Sequence, residues 1–332
     1  MTATGARSPA AEDPPPELVA RFREALDRLW PEGGRLGLAV SGGPDSMAML
    51  LLAQAAIPGK FEVATVDHGL RPEAAEECVL VQRACRKRGV PCQALTVTVG
   101  RGNLQNEARA ARYAALGNWA ADHGLSALAT AHHADDQAET LVMRLNRGSG
   151  LAGLAGVREV GWLEDFDAFV LIRPLLTFRR FELRSVVDRA GESFAQDSSN
   201  DDATFDRVRV RKALDEADWL DPRAWAKSAA HLAEAEEAMN FLAHQAWVEG
   251  AIREGDMIRV KYNGWRAVQR RLLERAIREL GGAPRGSDVD RLLNRLEFGQ
   301  GGNLAGVLVT AEHDAGTGAT WVFRPEPPRR TG

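Results

Sequence analysis

The residues of this 332-residue chain best suited to chemistry are Ser41-Gly42-Gly43-Pro44-Asp45-Ser46. Adjacent glycines let backbone N–H groups turn inward and approach an anion closely. A helix starting at Pro44 would add partial positive charge, and Ser41 and Ser46 add hydroxyl donors. Asp45 makes sense beside phosphates if it holds a magnesium ion that bridges them. The spacing is neither that of a Walker A loop, which ends in Lys-Ser/Thr, nor that of the dinucleotide fingerprint. A glycine turn followed by a Ser/Asp cap is the plainer alternative.

A second cluster is His132-His133-Ala134-Asp135-Asp136-Gln137-Ala138-Glu139-Thr140, with Arg147-Gly148-Ser149-Gly150 after it. If a helix begins near Ala134, then Asp136, Glu139 and Thr140 share one face. Such carboxylates can bind magnesium or receive an amine. They can also be an Asp-rich helix start favoured by the macrodipole. Arg109 and Arg112, three residues apart, can clamp an anion or form a solvated basic stripe. Zinc is disfavoured, since no cysteine or third histidine lies nearby in the sequence.

These clusters need a frame, and hydrophobic periodicity supplies one. It predicts a helix over 17–30, a strand over 35–40, a helix from Pro44 to Ala56 and a strand over 61–66 that ends at Asp67-His68-Gly69-Leu70-Arg71. A helix over 73–87, a strand over 93–97, a helix over 104–123 and a strand over 127–130 follow. Alternation of this kind predicts an α/β fold, a doubly wound, Rossmann-like parallel sheet that binds ligands at the carboxyl ends of its strands. The three polar clusters each follow a strand and would face one crevice. Beyond Gly150 the pattern predicts a strand over 171–176, a helix over 178–190, a long Ala-rich helix over 219–250, a strand over 258–260, helices over 267–280 and 288–296, and a hairpin of 304–309 with 320–323. The expected organisation is a flexible tail (1–14), a catalytic domain (15–217), a connecting helix (218–250) and a small C-terminal helical/α+β domain (251–326).

Composition fits a soluble globular protein: 45% hydrophobic, 27% charged, net charge −4. No apolar stretch is long enough for a membrane span, and the N-terminus lacks the apolar core of a secretory signal. Cys78, Cys85 and Cys92 are odd in number and match no metal spacing, so they read as structural thiols in a reducing cytoplasm. Residues 251–300 hold 11 Lys/Arg against 7 Asp/Glu, a local basic excess that can hold phosphates or face water.

The loop resembles that of the N-type ATP pyrophosphatases, which adenylate an oxygen and release pyrophosphate. Together with Asp67-His68-Gly69-Leu70-Arg71, Glu107-Ala108-Arg109-Ala110-Ala111-Arg112-Tyr113, the His132 to Thr140 run, Arg173-Pro174-Leu175-Leu176 and Asp197-Ser198-Ser199-Asn200, it makes the chain similar to the tRNA(Ile)-lysidine synthetase family. The resemblance runs from Val40 to about Lys212. It implies adenylation by ATP of O2 of the wobble cytidine in the CAU anticodon of tRNA(Ile), and then attack of L-lysine at C2. It also implies ATP binding by Ser41, Gly42, Gly43, Pro44, Asp45, Ser46, Asp67, His68 and Arg71, and magnesium on Asp45 and Asp136. Asp45, Asp136 and Arg207 would be catalytic. Arg109, Arg112, His133 and Glu139 would bind lysine or phosphate, with Glu139 meeting the lysine ammonium, and Arg207 and Arg211 would contact tRNA. The C-terminal part looks like the family's small tRNA-binding domain, and a cytoplasmic monomer or homodimer is expected. One departure stands out. Where the family has Arg-Asn-x-Val/Ile-Arg-His, this chain has Arg207-Val208-Arg209-Val210-Arg211-Lys212. A tRNA sulfurtransferase or amide-forming synthetase with the same loop is one rival, although sulfur transfer calls for cysteines placed differently. A passive nucleotide-binding module is another, although it has little use for two carboxylates facing a triphosphate.

Overall fold

The computed structural model describes residues 12–69, 72–98, 104–163, 166–196, 206–314 and 318–326. Arg71 and the motif from Asp197 to Asn200 lie outside the described residues. The chain divides into two compact units, Met1–Ala233 and Glu234–Gly332.

The first unit runs α1 (Pro16–Leu29), β1 (Leu36–Ala39), α2 (Pro44–Ala56), β2 (Phe61–Asp67), α3 (Pro72–Lys87), β3 (Cys92–Thr96), α4 (Leu104–Asp122), β4 (Ala127–Ala129) and α5 (Ala134–Asn146). It continues through α6 (Leu151–Leu154), β5 (Val160–Leu163), β6 (Phe166–Ile172), α7 (Arg180–Arg189), α8 (Asp206–Asp215) and the start of α9 (Pro222–Gly250). The strand order is β3-β2-β1-β4-β6-β5. Five strands are parallel, and β5 joins the edge antiparallel to β6. The chain leaves β1 in one direction for β2 and later returns to its other side as β4. That reversal opens a crevice beyond their carboxyl ends.

Two apolar layers hold this sheet. On one, Phe22 and Leu26 of α1, Met47 to Leu52 of α2 and Leu183, Val186 and Val187 of α7 pack with Leu36 and Leu38 of β1. On the other, Leu116, Trp119 and Ala120 of α4 meet Ala64, Leu128 and Leu171. Nine of the thirteen residues of α2 are buried, so this helix has apolar neighbours all round rather than along one stripe. Each such Leu or Met contributes roughly 1.5–3 kcal/mol relative to exposure.

The expected strand over 171–176 is corrected. β6 ends at Ile172 and residues 174–177 turn, because Pro174 has no N–H to give to a ladder. The helix after it starts at Arg180. β5 and α8 have no counterpart in the expected pattern, β5 being a four-residue edge strand.

In the second unit, β7 (Ala251–Glu254), β8 (Met257–Lys261), β9 (Gly302–Leu304), β10 (Val307–Asp314) and β11 (Gly318–Pro325) form an antiparallel sheet of order β7-β8-β11-β10-β9. α10 (Arg266–Glu279) and α11 (Gly286–Glu297) pack on it through Leu272, Leu273, Ile277, Leu292 and Leu293. The hairpin is longer than the expected 304–309 with 320–323, and the first of these ranges spans two strands. Ala305 (φ 51°) and Gly306 (φ 79°) separate β9 from β10, and two consecutive positive φ values make a tight two-residue turn.

Glu182 ties three segments of the first unit together. It accepts from Arg21 Nη2 at 2.8 Å, Arg223 Nη2 at 2.6 Å and the Arg179 backbone N–H at 2.8 Å. Burial favours its protonated form, but Arg21, the Arg179 amide and Arg223 outweigh that and hold its pKa at about 2. A folded pKa below the unfolded one gives stability that is complete above about 4.5 and is lost as pH falls towards 2. Glu182→Gln is therefore expected to lower Tm at pH 7 by an amount that shrinks between pH 4.5 and 2 in thermal melts. A pH-independent difference would show that the side chain acts through packing instead.

Candidate active site

The glycine loop lies directly after β1, at the crevice. Gly42 has φ +89°, a left-handed conformation that a side chain would strain, and its carbonyl accepts from the Ala195 N–H at 2.8 Å. Gly43 caps α2 and Pro44 opens it, where the missing N–H costs no intrahelical bond. Ser46 Oγ donates to the Gly43 carbonyl at 3.0 Å and accepts from the Ser41 N–H at 3.1 Å, and the Ser41 hydroxyl lies 3.2 Å away. The two serines thus close the loop on itself. At the next strand end, Asp67 Oδ1 accepts from the Gly69 N–H at 2.8 Å in an Asx turn, and His68 lies within that turn.

His133 joins loop and helix. It is the N-cap of α5: its Nδ1 accepts from the Asp136 N–H at 3.4 Å, while Asp136 Oδ2 accepts from the His133 N–H at 3.1 Å. A ring that accepts at Nδ1 carries its proton on Nε2, which lies 3.4 Å from Asp45 Oδ2 and 3.6 Å from Asp136 Oδ2. The side chain is 1% exposed. Burial disfavours the imidazolium, yet Asp136 and then Asp45 outweigh it and raise the pKa above the ordinary value. For Asp136, burial opposes ionisation, but His133, Arg207 and His132 hold its pKa below the usual range. Asp45 Oδ1 is buried without a hydrogen-bond partner, an acceptor free for a cation.

Glu139, one turn on and 1% exposed, is engaged by arginines on both oxygens. Arg180 Nη2 lies at 2.6 Å and Arg211 Nε at 2.8 Å from Oε1, and Arg207 Nε lies at 2.6 Å from Oε2. Burial is outweighed by Arg211 and Arg207, and the pKa falls. Arg207 also reaches Asp136 Oδ1 at 2.7 Å. Arg207 and Arg211 are four apart on α8 and so share one face. An incoming ammonium at Glu139 would share its carboxylate with these arginines. Beside it lies a cavity of about 210 Å³ walled by Asp135, Arg179, Arg180, Arg211, Asp215 and Asp218. Val208, in place of the family's Asn, is buried, so the exchange strands no amide. Lys212 is exposed.

Arg109 and Arg112 stand elsewhere, on α4, over the Tyr113 ring at 4.9 and 5.2 Å. Two neighbouring residues were not singled out by the sequence. His132 is paired with Thr130 Oγ1 through Nδ1 at 3.0 Å, and its pKa falls to about 4 through burial, opposed by Asp136 and aided by Arg173, Arg109 and Arg112. Arg173, 8% exposed, donates from Nη1 to the Arg158 carbonyl at 2.5 Å. The sequence signal for Arg173 was the Pro174 that follows it, which ends the strand there and leaves Arg173 at its carboxyl end.

A glycine loop between the central strand and a buried helix, at the point where the strand order reverses, defines a PP-loop ATP-utilising enzyme, and the PP-loop domain family matches residues 16–217. The solved U34-tRNA thiolase NcsA of Methanococcus maripaludis shares this fold, with a TM-score of 0.52 over 65% of this chain and 78% of that one at 16% identity. The tRNA(Ile)-lysidine synthase of Novosphingobium aromaticivorans is 46% identical over 316 residues, covering 94% of this chain and 95% of the relative. That of Zymomonas mobilis is 39% identical over 324 residues, covering 95% and 96%. This chain belongs to the tRNA(Ile)-lysidine synthase family, ligases built on a PP-loop domain.

Glu139→Ala leaves three guanidinium groups without their shared carboxylate and is expected to destabilise the protein by about 3–5 kcal/mol in urea unfolding. A loss under about 1 kcal/mol would mean that solvent already screens the cluster. Gly42→Ala is expected to cost about 1 kcal/mol or more through its positive φ, read from the same transition midpoint.

Proposed function

We propose that this chain ligates L-lysine to C2 of the wobble cytidine in the CAU anticodon of tRNA(Ile). In the first step O2 attacks the α-phosphorus of ATP and pyrophosphate departs. In the second the lysine ε-amine attacks C2, the C2–O2 bond breaks, AMP leaves with the oxygen and the amine loses its proton. Adenylation turns a poor leaving group into a good one, and one crevice holding both reactants supplies orientation. The observation that carries this reading is the Asp45–His133–Asp136 bridge beside the glycine loop, in a chain so similar to lysidine synthases.

On this reading residues 41–46, Asp67 and His68 cradle the nucleotide, and Arg71 joins them from outside the described residues. Asp45, with its free Oδ1, and Asp136 would hold magnesium, which would supply positive charge to offset the negative charge of the phosphates. Asp136 faces the reacting groups and Arg207 steadies its carboxylate. Glu139 fixes Arg207 and Arg211, which meet RNA, and with Asp215 and Asp218 on the neighbouring cavity it offers negative charge to the lysine ammonium. Arg109 and Arg112 offer charge for a phosphate or the lysine carboxylate. Residues 251–326 read as the small tRNA-binding domain and 218–250 as the connecting helix. Among the described residues no helix is long and apolar enough to cross a membrane. The chain is read as cytoplasmic, a monomer or homodimer.

Mass spectrometry of the wobble nucleoside after incubation with ATP, L-lysine and tRNA(Ile) is expected to find lysidine. Pyrophosphate release should require tRNA, and AMP release should require lysine as well. A protein that releases neither product is a binding module, and this function would be wrong. Asp136→Ala is expected to lower lysidine formation at least 100-fold, the size of effect seen when a group acting in the transition state is removed, with the folded circular dichroism spectrum kept. Near-normal turnover would take Asp136 out of the chemistry.

A further inference from the structure

Among the described residues seven arginines surround this crevice, and they fall into two sets. Arg179, Arg180, Arg207 and Arg211 all pair with Asp135, Asp136 or Glu139. Arg109, Arg112 and Arg173 have no carboxylate partner among the described residues. Arg173 is the anomaly, because a buried guanidinium is costly unless paired. It is 8% exposed, bonds only a backbone carbonyl with good geometry, and keeps a buried Nε without a partner. The Tyr113 hydroxyl beside it is also buried without a partner of good geometry. Burial pulls the Arg173 pKa down, Tyr113 opposes this, and the charge of Arg109 adds to the fall. Three cations therefore crowd one wall on which none of the described carboxylates pairs with them, at the carboxyl end of β6, on the side of the sheet where α/β folds bind ligands.

We propose that Arg173 and the Tyr113 hydroxyl form the base of a phosphate-binding site that Arg109 and Arg112 complete, separate from the glycine loop. Three guanidinium groups and a phenol suit a phosphate, with several acceptor oxygens and more than one charge, better than a single carboxylate. The phosphate comes either from the nucleotide or from the RNA chain. Naming those two sources rests on the lysidine reading, whereas the need for an anion rests on the geometry alone.

Arg173→Gln and Tyr113→Phe test it. The expected result is a KM raised about 10- to 100-fold for one phosphate-bearing substrate in Arg173→Gln, the loss of a charge-assisted contact. A smaller rise is expected in Tyr113→Phe, and an unchanged KM for L-lysine in both. A shift in the KM for ATP identifies a nucleotide phosphate, and a shift in that for tRNA identifies the RNA backbone. The Tm of ligand-free Arg173→Gln should equal or exceed that of the wild type, because an uncompensated buried charge has gone. Arg173→Lys should restore part of the affinity. A KM change confined to lysine, or no KM change at all, overturns the proposal. So does a fall in Tm with kcat and every KM impaired together, which marks Arg173 as a brace for the Arg158 carbonyl. Should Arg173→Gln not fold, Tyr113→Phe carries the test alone, since it removes one oxygen and no packing. Calorimetry of ATP binding and filter binding of tRNA need no turnover. They judge the site even if lysidine never forms.

Discussion

The Nε2 proton of His133 points between two carboxylates, Asp45 at the start of α2 and Asp136 in the first turn of α5, at 3.4 and 3.6 Å. Bare carboxylates brought to one place repel, and one is normally forced to take up a proton. A buried imidazole between them offsets that repulsion, and it fixes the glycine loop relative to the helix that carries the acidic cluster. The same histidine caps α5, so its orientation is set by backbone bonds as well as by charge. Loop, acids and arginines are arranged around that contact.

Outward from it, charge is distributed unevenly. Asp135, Asp136 and Glu139 collect the arginines of α7 and α8 into a nearly neutral network. Across the start of α5, the wall made by α4 and the end of β6 keeps its positive charge unanswered. The first arrangement stiffens the protein in the absence of ligand. The second costs stability in that state and is relieved by an anion, a common trade at binding sites.

Much of this was legible in the residues. The strand-loop-helix unit around Ser41 and Gly42, the start of α5 at Ala134 and the clustering of three strand ends followed from periodicity and turn chemistry, because these are local properties. The short antiparallel edge strand β5 and the split of β9 from β10 were not, since four-residue strands carry little periodicity and depend on neighbours distant in sequence. The arginine partners of Glu139 were not legible, because spacing shows which face a residue occupies and not what meets it there. Its three arginine partners lie 41, 68 and 72 positions away. Arg173 was quoted only as part of a motif, and only its burial without a counterion makes it conspicuous.

Helix α2 has almost no free side: its buried residues run from Ser46 through Ala53 without a break. In a segment enclosed in that way local opening costs nearly as much as unfolding the unit, and its amides should be among the slowest to exchange with solvent. The loop it anchors therefore inherits the cooperativity of the core. Nucleotide meets a fixed receptor and gains nothing from adaptation on that side. Adjustments during the reaction fall to the partners that approach the loop, and a cavity-forming substitution far away in the apolar layer would be felt at the phosphates as a loss of order before any residue near them had changed.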